Sequence, residues 1–248
     1  MEPDPAALLG RLLRERRSVR DFRPDPVDPE LVEAIVAEAG LSPSWSNTQP
    51  YRVGIATGEL RDRLSAQYCA LFDSAQAALG QGALGKVKLA LGAAGKPDGD
   101  FETQFPYPPD LTRARVATGV GLYKVLGIER KDIAGRTRQM RRNFEFFGAP
   151  VALFLFVHRG LREYGVLDGG IFLQALLLAA QARGLATCAQ GAIATWAGPA
   201  RAAFEVPKDY ALVCGVSLGY ASDHAVNAYD PGRVDPSSLI LPVRSPTP

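Results

Sequence analysis

The chain has 248 residues, 47% of them hydrophobic and 22% charged, proportions that exclude a disordered tail or a fibrous repeat. Lys and Arg number 28 against 26 Asp and Glu, a formal net charge of +2, too small for a whole-molecule field that recruits nucleic acid or anionic membrane. Any anion site is therefore local.

Taken in chain order, the opening Met1-Glu2-Pro3-Asp4-Pro5 lacks the basic and apolar regions of a secretion signal. Leu8 to Glu15 reads as the end of a helix and Glu30 to Ala39 as another, its Leu31, Val32, Ile35 and Val36 spaced for one apolar face. Pro24, Pro26 and Pro29 separate them. Arg52 to Thr57, Val151 to His158 and Tyr210 to Tyr220 are β-rich runs predicted as strands, the second apolar on both faces. Leu64 to Leu79 has a helical pattern. Gly80 to Asp110, rich in Gly and Pro, reads as an excursion over about 80–112 that acts as a lid or wraps a dimer partner. Arg113 to Arg142 is helical and basic, with the pattern of a solvated face. Asp168 to Ala182 predicts a buried helix stopped by Gly184 in the left-handed region, after which Thr187 to Ile193 re-enters the sheet. The longest apolar stretches fall short of the roughly 18 residues of a membrane span. Strands and helices alternate without a βαβ rhythm, which predicts an α+β fold with a mixed central sheet in a single domain over 1–248.

Several motifs lack the context their chemistry needs. Gly80-Gln81-Gly82-Ala83-Leu84-Gly85-Lys86-Val87 follows a helix rather than a strand and ends without the Ser or Thr hydroxyl of a phosphate-binding loop. Gly215-Val216-Ser217-Leu218-Gly219 follows a strand but precedes no helix that would expose the serine as a nucleophile. His158 and His224 have no metal-ligand spacing, so no metal is expected. Cys69, Cys188 and Cys214 form no Cys-x-x-Cys pair and fit a reducing, cytoplasmic compartment. Cys188 reads as a small buried thiol rather than a nucleophile, since no neighbouring cation is visible in the sequence to lower its pKa.

Two segments carry chemistry. Arg16-Arg17-Ser18-Val19-Arg20 packs three guanidiniums and a hydroxyl into five residues, enough to clamp a phosphate bidentately and still present a cation elsewhere. About 25 residues later, Leu41-Ser42-Pro43-Ser44-Trp45-Ser46-Asn47-Thr48-Gln49-Pro50-Tyr51 is a proline-flanked loop dense in short hydrogen-bonding side chains. A Gly-rich turn at Gln190-Gly191 and an isolated Arg233 complete the constellation.

These pieces, with Phe147-Gly148-Ala149-Pro150 before an apolar strand, Asp168-Gly169-Gly170, Gly184-Leu185-Ala186-Thr187 and Leu218-Gly219-Tyr220, occur in an order that resembles the nitroreductase family of flavoenzymes. The resemblance spans Arg16 to Arg233. It implies an α+β, intertwined homodimer that binds FMN at the subunit interface, two sites per dimer. By that resemblance Arg16 and Arg233 contact the FMN phosphate, with Arg17 and Ser18 beside them, and Arg20 is the cation near flavin N1 and the C2 carbonyl. Pro43, Ser44, Trp45, Ser46, Asn47 and Gln49 belong to the cofactor-binding set, with Pro43, Ser44 and Asn47 contributed by the partner chain. Gln190 and Gly191 place backbone N–H groups near flavin N5 and O4.

The implied activity is NAD(P)H-dependent, two-electron, ping-pong reduction of nitroaromatic or quinone acceptors. It needs no dedicated nucleophile, because the flavin supplies the hydride chemistry and a fixed cation stabilises the charge that reduction brings. Gln190 departs from the Glu of many family members. The long stretch from Leu60 to Arg142 resembles the branch containing nitrobenzoate reductases, in which Phe101, Phe105 and Tyr107 either stack on an aromatic substrate or bury loop edges. Tyr68 and Phe72 are further pocket candidates. The alternatives are a flavoenzyme of the same fold with another reaction (dehalogenation, dehydrogenation of a biosynthetic intermediate, flavin fragmentation) and a non-catalytic flavin-binding module.

Overall fold

Strand β2 (Val151–His158) organises the fold because its alternate side chains feed two different cores. Ala152, Phe154 and Phe156 pack with Leu64, Tyr68, Phe144 and Trp196 on one face, whereas Val151, Leu153 and Leu155 pack with Ile35, Phe172 and Leu176 on the other. A strand covered on both sides must be apolar, and this one is from Val151 to Val157. The computed structural model describes residues 4–92, 95–103 and 105–244. Residues 1–3 of the opening segment and 93, 94 and 104 of the excursion lie outside the described residues.

Strand β2 pairs with β1 (Tyr51–Thr57) on one side and β4 (Tyr210–Gly219) on the other, and β3 (Ala186–Gln190) lies beyond β4, giving the order β1-β2-β4-β3. Every ladder is antiparallel. The mixed sheet expected from the sequence is thereby corrected: among the described residues the one parallel pairing is a single bridge between Ser18 and Thr187. Alternation of strands with helices does not by itself set strand direction, since a helical connection is long enough to return either way.

Helices α2 (Pro29–Ala39) and α7 (Arg162–Ala182) cover one face, and α3 (Gly58–Gly80) and α8 (Gly198–Ala203) cover the other. Helix α1 (Pro5–Glu15) touches α7. Both α1 and α2 start with an aspartate cap, Asp4 and Asp28, followed by proline in the first turn, where its missing N–H has no helical partner to lose. Helix α7 begins six residues before the expected Asp168. Two of its glycines allow close packing and do not break it: a Cβ on Gly169 would lie 2.6 Å from Val157 Cγ1, and one on Gly165 would lie 2.8 Å from the His158 carbonyl oxygen. With this extension the helix is long and apolar enough to cross a membrane by length and composition, contrary to the sequence expectation. Its Phe172, Leu176, Leu177 and Ala180 are nevertheless buried in the core beneath the sheet.

The excursion is not one structureless loop. It holds α4 (Ala83–Ala90) and then a stretch fastened to the body: Trp196 Nε1 donates to the Gly95 carbonyl at 3.2 Å, Asp98 accepts from Ala197 N at 2.7 Å, and Asp100 accepts from Leu212 N at 2.7 Å while pairing with Arg159 and Arg201. The basic helix expected over 113–142 is two helices, α5 (Pro109–Val125) and α6 (Ile133–Arg141), broken at Gly127 with φ 65° and restarted by Asp132 accepting from Gly135 N at 2.7 Å. Nor is its far end simply solvated: Arg141 pairs with Asp73 and Glu145, and Arg142 with Asp21 at 2.8 Å.

Candidate active site

The arginine box leaves α1 and runs along the edge of β3, where Val19 N donates to the Thr187 carbonyl at 3.0 Å. This places Arg16 and Arg20 against buried Cys188, and brings Arg233, 217 positions downstream of Arg16, into electrostatic range of Arg16. Burial first, and Arg233 second, hold the Arg16 guanidinium below its usual pKa, with Cys188 acting in the opposite sense. Among the described residues, no carboxylate lies within 4 Å of Arg16, Arg17, Arg20 or Arg233. Two guanidiniums that repel each other, one of them half-buried and neither with a counter-ion, are the donor set a phosphate requires.

The box is held by a network that joins it to the chain's last third. Asp21 accepts from Arg142 Nη2 and from Ser222 Oγ, Asn227 Oδ1 accepts from Arg20 N at 2.9 Å, and Arg17 Nη1 donates to the Ala228 carbonyl at 3.0 Å. Arg17 therefore bonds outside the box, whereas Arg20 folds back, Nη1 donating to the Ser18 carbonyl at 3.2 Å.

Gln190 and Gly191 end β3. The Gln190 side chain turns inward, 2% exposed, with Nε2 donating to the Asn143 carbonyl at 2.7 Å and Oε1 accepting from Ser217 Oγ at 2.6 Å. Ser217, fully buried in mid-strand, is thus neither a nucleophile nor on an elbow. With the Gln190 amide locked in the core, only backbone is left at the rim of the turn. A Cβ built on Gly191 meets nothing within 4 Å, so no protein atom requires that residue to be glycine.

Gly191 borders a cavity of about 990 Å³ walled by Phe72, Phe101, Phe105, Tyr107, Phe144 and Trp196, with Arg115, Glu102, Thr103 and Thr195 as polar members. Phe105 and Tyr107 stack at 5.7 Å, and the Arg115 guanidinium lies 4.7 Å over the Tyr107 ring. Four of the five proposed substrate aromatics therefore meet here. The fifth, Tyr68, does not: it is fully buried between Phe144, Phe146 and Phe154, and burial pushes its phenol pKa far up. It lies one turn before Phe72 on the same face of α3, deeper in the core and away from the cavity wall.

The Pro43 to Gln49 loop lies against α7. Trp45 N donates to the Asp168 carboxylate at 3.1 Å, its ring sits 4.3 Å from Tyr164, and Gln49 N donates to Ser44 Oγ at 2.9 Å. Ser46, Asn47 and Gln49 all have positive φ, near 49°, 54° and 47°, a strained set that the flanking hydrogen bonds must hold. Among the described residues the hydrogen bonds of Pro43, Ser44, Trp45, Ser46, Asn47 and Gln49 that involve a side chain run to Asp168, to Arg52 and within the loop, and none of them reaches the arginine box.

A family model described as the Nitroreductase family matches residues 13–220. The chain belongs to that family. It is 35% identical over 218 residues to the 4-nitrobenzoate reductase of Pseudomonas putida, covering 86% of each chain, and 35% identical over 228 residues to the chloronitrobenzene nitroreductase of Comamonas testosteroni, covering 92% and 93%. Among solved structures it resembles the FMN-dependent nitroreductase NfnB from Mycobacterium smegmatis in complex with NADPH, with a TM-score of 0.83, 32% identity and coverage of 97% and 100%.

FMN fits what this nitroreductase-family chain presents. The unpaired Arg16 and Arg233 suit the phosphate, and the space beyond Gly191 that a Cβ would fill leaves room for a ring against bare backbone. Sequence reasoning missed the supports: Asp21, Arg142, Ser222 and Asn227, and the cavity residues Phe144, Trp196 and Arg115. Of these only Asp21 had a local signal, a carboxylate directly after the arginine box. Nor was the proximity of Cys188 to Arg16 and Arg20 visible, although burial prevails over both cations and pushes that thiol up to about 11.

Proposed function

We propose that this chain is an FMN-dependent oxidoreductase that uses NAD(P)H to reduce nitroaromatic or quinone acceptors in two-electron, ping-pong steps. The observation that carries the reading is the meeting of two counter-ion-free arginines, Arg16 and Arg233, near a backbone-only rim at Gly191 that opens into an aromatic cavity. FMN, when bound, supplies the hydride chemistry. Arg16 and Arg233 hold its phosphate, with Arg17 and Ser18 alongside. Arg20 keeps a positive charge near N1 and O2, where electron density accumulates. The backbone N–H groups of Gln190 and Gly191 would bind the flavin ring near N5 and O4, and the inward lock on Gln190 keeps its side chain out of the way. Phe72, Phe101, Phe105 and Tyr107 exclude water and stack on the acceptor. A nitro compound passes through the nitroso stage to the hydroxylamine, consuming two NAD(P)H and two solvent protons and releasing one water.

The site is completed by a second copy of the chain. Trp45, Tyr164, Leu167 and Ile171 expose an apolar stripe beside the strained 43–49 loop, and Leu239, Ile240, Leu241 and Val243 lie exposed in the C-terminal segment. Burying these faces in a homodimer covers them and carries Pro43, Ser44 and Asn47 to the partner's flavin. Within the excursion over about 80–112, Phe101, Phe105 and Tyr107 act as a lid over the cavity. Three free, buried cysteines accord with a cytoplasmic setting. The test is steady-state NADPH oxidation by the purified, flavin-loaded protein with nitrobenzene as acceptor. Parallel double-reciprocal lines support the reading, and no acceptor-dependent oxidation leaves only a flavin-binding module.

A further inference from the structure

Within the aromatic cavity one side chain differs in kind from the rest. Arg115, on α5, is the one basic residue among its described lining residues, and no carboxylate of the described residues lies within 4 Å of it. Its guanidinium lies over the Tyr107 ring at 4.7 Å, and Tyr107 is in turn stacked on Phe105 at 5.7 Å. A guanidinium seated on a ring face has its plane fixed while its N–H edges stay free, the arrangement suited to a planar carboxylate accepting two parallel hydrogen bonds.

We infer that Arg115 is a specificity-determining residue that receives the carboxylate of an aromatic acid acceptor while Phe72, Phe105 and Tyr107 hold its ring. This rests on the flavin-dependent reading above and adds the chemical class its cavity selects. The lining favours a monoanionic ring over the phosphate of a dinucleotide. Six aromatic side chains line the wall, and Glu102, the carboxylate in the same lining, opposes a second negative charge. A neutral nitroaromatic gains the ring contacts alone.

The experiment measures kcat/KM of the holoenzyme for 4-nitrobenzoate and for nitrobenzene in the wild type, Arg115→Ala and Arg115→Lys, with the dissociation constant of unreactive benzoate measured by calorimetry. Losing a bidentate charge-assisted pair lowers the 4-nitrobenzoate to nitrobenzene ratio about tenfold or more, carried mainly by KM, and weakens benzoate by a similar factor. Lysine, which keeps the charge but not the fork, restores part of the ratio. An unchanged ratio in Arg115→Ala with unchanged benzoate affinity overturns the assignment and leaves the flavin reading standing. So does a loss that falls on the KM for NADPH instead. A wild type that reduces neither acceptor overturns the flavin reading, and this inference with it.

Discussion

Replacing Gly191 with alanine separates what the protein needs from what its ligand needs. A Cβ there meets no atom of this chain within 4 Å, and Gly191 does not have the positive φ that would strain alanine. In the flavin-free protein the substitution is therefore neutral or stabilising by about 0.4–1 kcal/mol, because the unfolded chain has fewer conformations to lose. If the isoalloxazine lies against this backbone, the added methyl occupies its space. Overpacking of a filled site costs about 1–3 kcal/mol, so the FMN dissociation constant rises about 5- to 150-fold. Thermal unfolding of the apoprotein and a fluorescence titration with FMN give the two readings. The control is Gly215, opposite Gln190 in the ladder, where a Cβ would lie 2.8 Å from Ile193 Cγ1; Gly215→Ala lowers the unfolding temperature of the apoprotein itself. An FMN affinity unchanged by Gly191→Ala refutes the placement of the ring, and a lowered apoprotein melting temperature refutes the claim that the space is free.

Arg233→Ala raises the FMN dissociation constant about tenfold or more by removing charge-assisted bonds to the phosphate, and equal affinities in titration would remove Arg233 from that site. Arg20→Ala slows flavin reduction by NADPH in anaerobic stopped flow even where FMN is retained; an unchanged rate and reduction potential contradict its role. Ser217→Ala leaves the buried Gln190 carbonyl oxygen without its donor and costs about 1–3 kcal/mol in urea unfolding, whereas a nucleophile role would abolish turnover with no loss of stability. The Cys188 thiol is raised to about 11 in the folded protein, so the unfolded chain ionises first. Its stabilising contribution is full below the ordinary thiol range near pH 8.5 and declines as pH rises toward 11. The stability difference between wild type and Cys188→Ala therefore shrinks from pH 8 to pH 10.5, and a constant difference would show that the thiol is not shielded.

What the sequence made legible follows from which contacts are local. The strands β1, β2 and β4, the start of α2 behind Asp28, and the left-handed stop at Gly184 all lie in short-range patterns that one chain displays. The first turns of α7, before Asp168, lack the sustained apolar run that marks the rest of the helix, and the absence of a side chain at Gly165 lets them lie against the His158 carbonyl. The excursion was read as loop because its anchors, Asp98 and Asp100, find their partners about 100 positions away. Tyr68 and Phe72 share a helix, a face and a residue class, and only their positions along the axis, one turn apart, leave Tyr68 wholly inside the core and Phe72 at the cavity wall. In the candidate site, the arginine box was legible as an uncompensated charge run, whereas its supports Ser222 and Asn227 are polar residues in a loop about 200 positions downstream. The 43–49 loop was legible as a proline-flanked polar loop, whereas Asp168, which accepts from Trp45 N, lies 123 positions downstream of it.

The central claim, that Arg16 and Arg233 hold FMN for reduction by NAD(P)H and reoxidation by an aromatic acceptor, is tested most directly by an anaerobic spectral titration of the purified protein. The account predicts a yellow protein with one FMN per chain whose visible flavin band is lost on adding NADPH and returns on adding a nitroaromatic. A colourless protein that takes up no added FMN would contradict it.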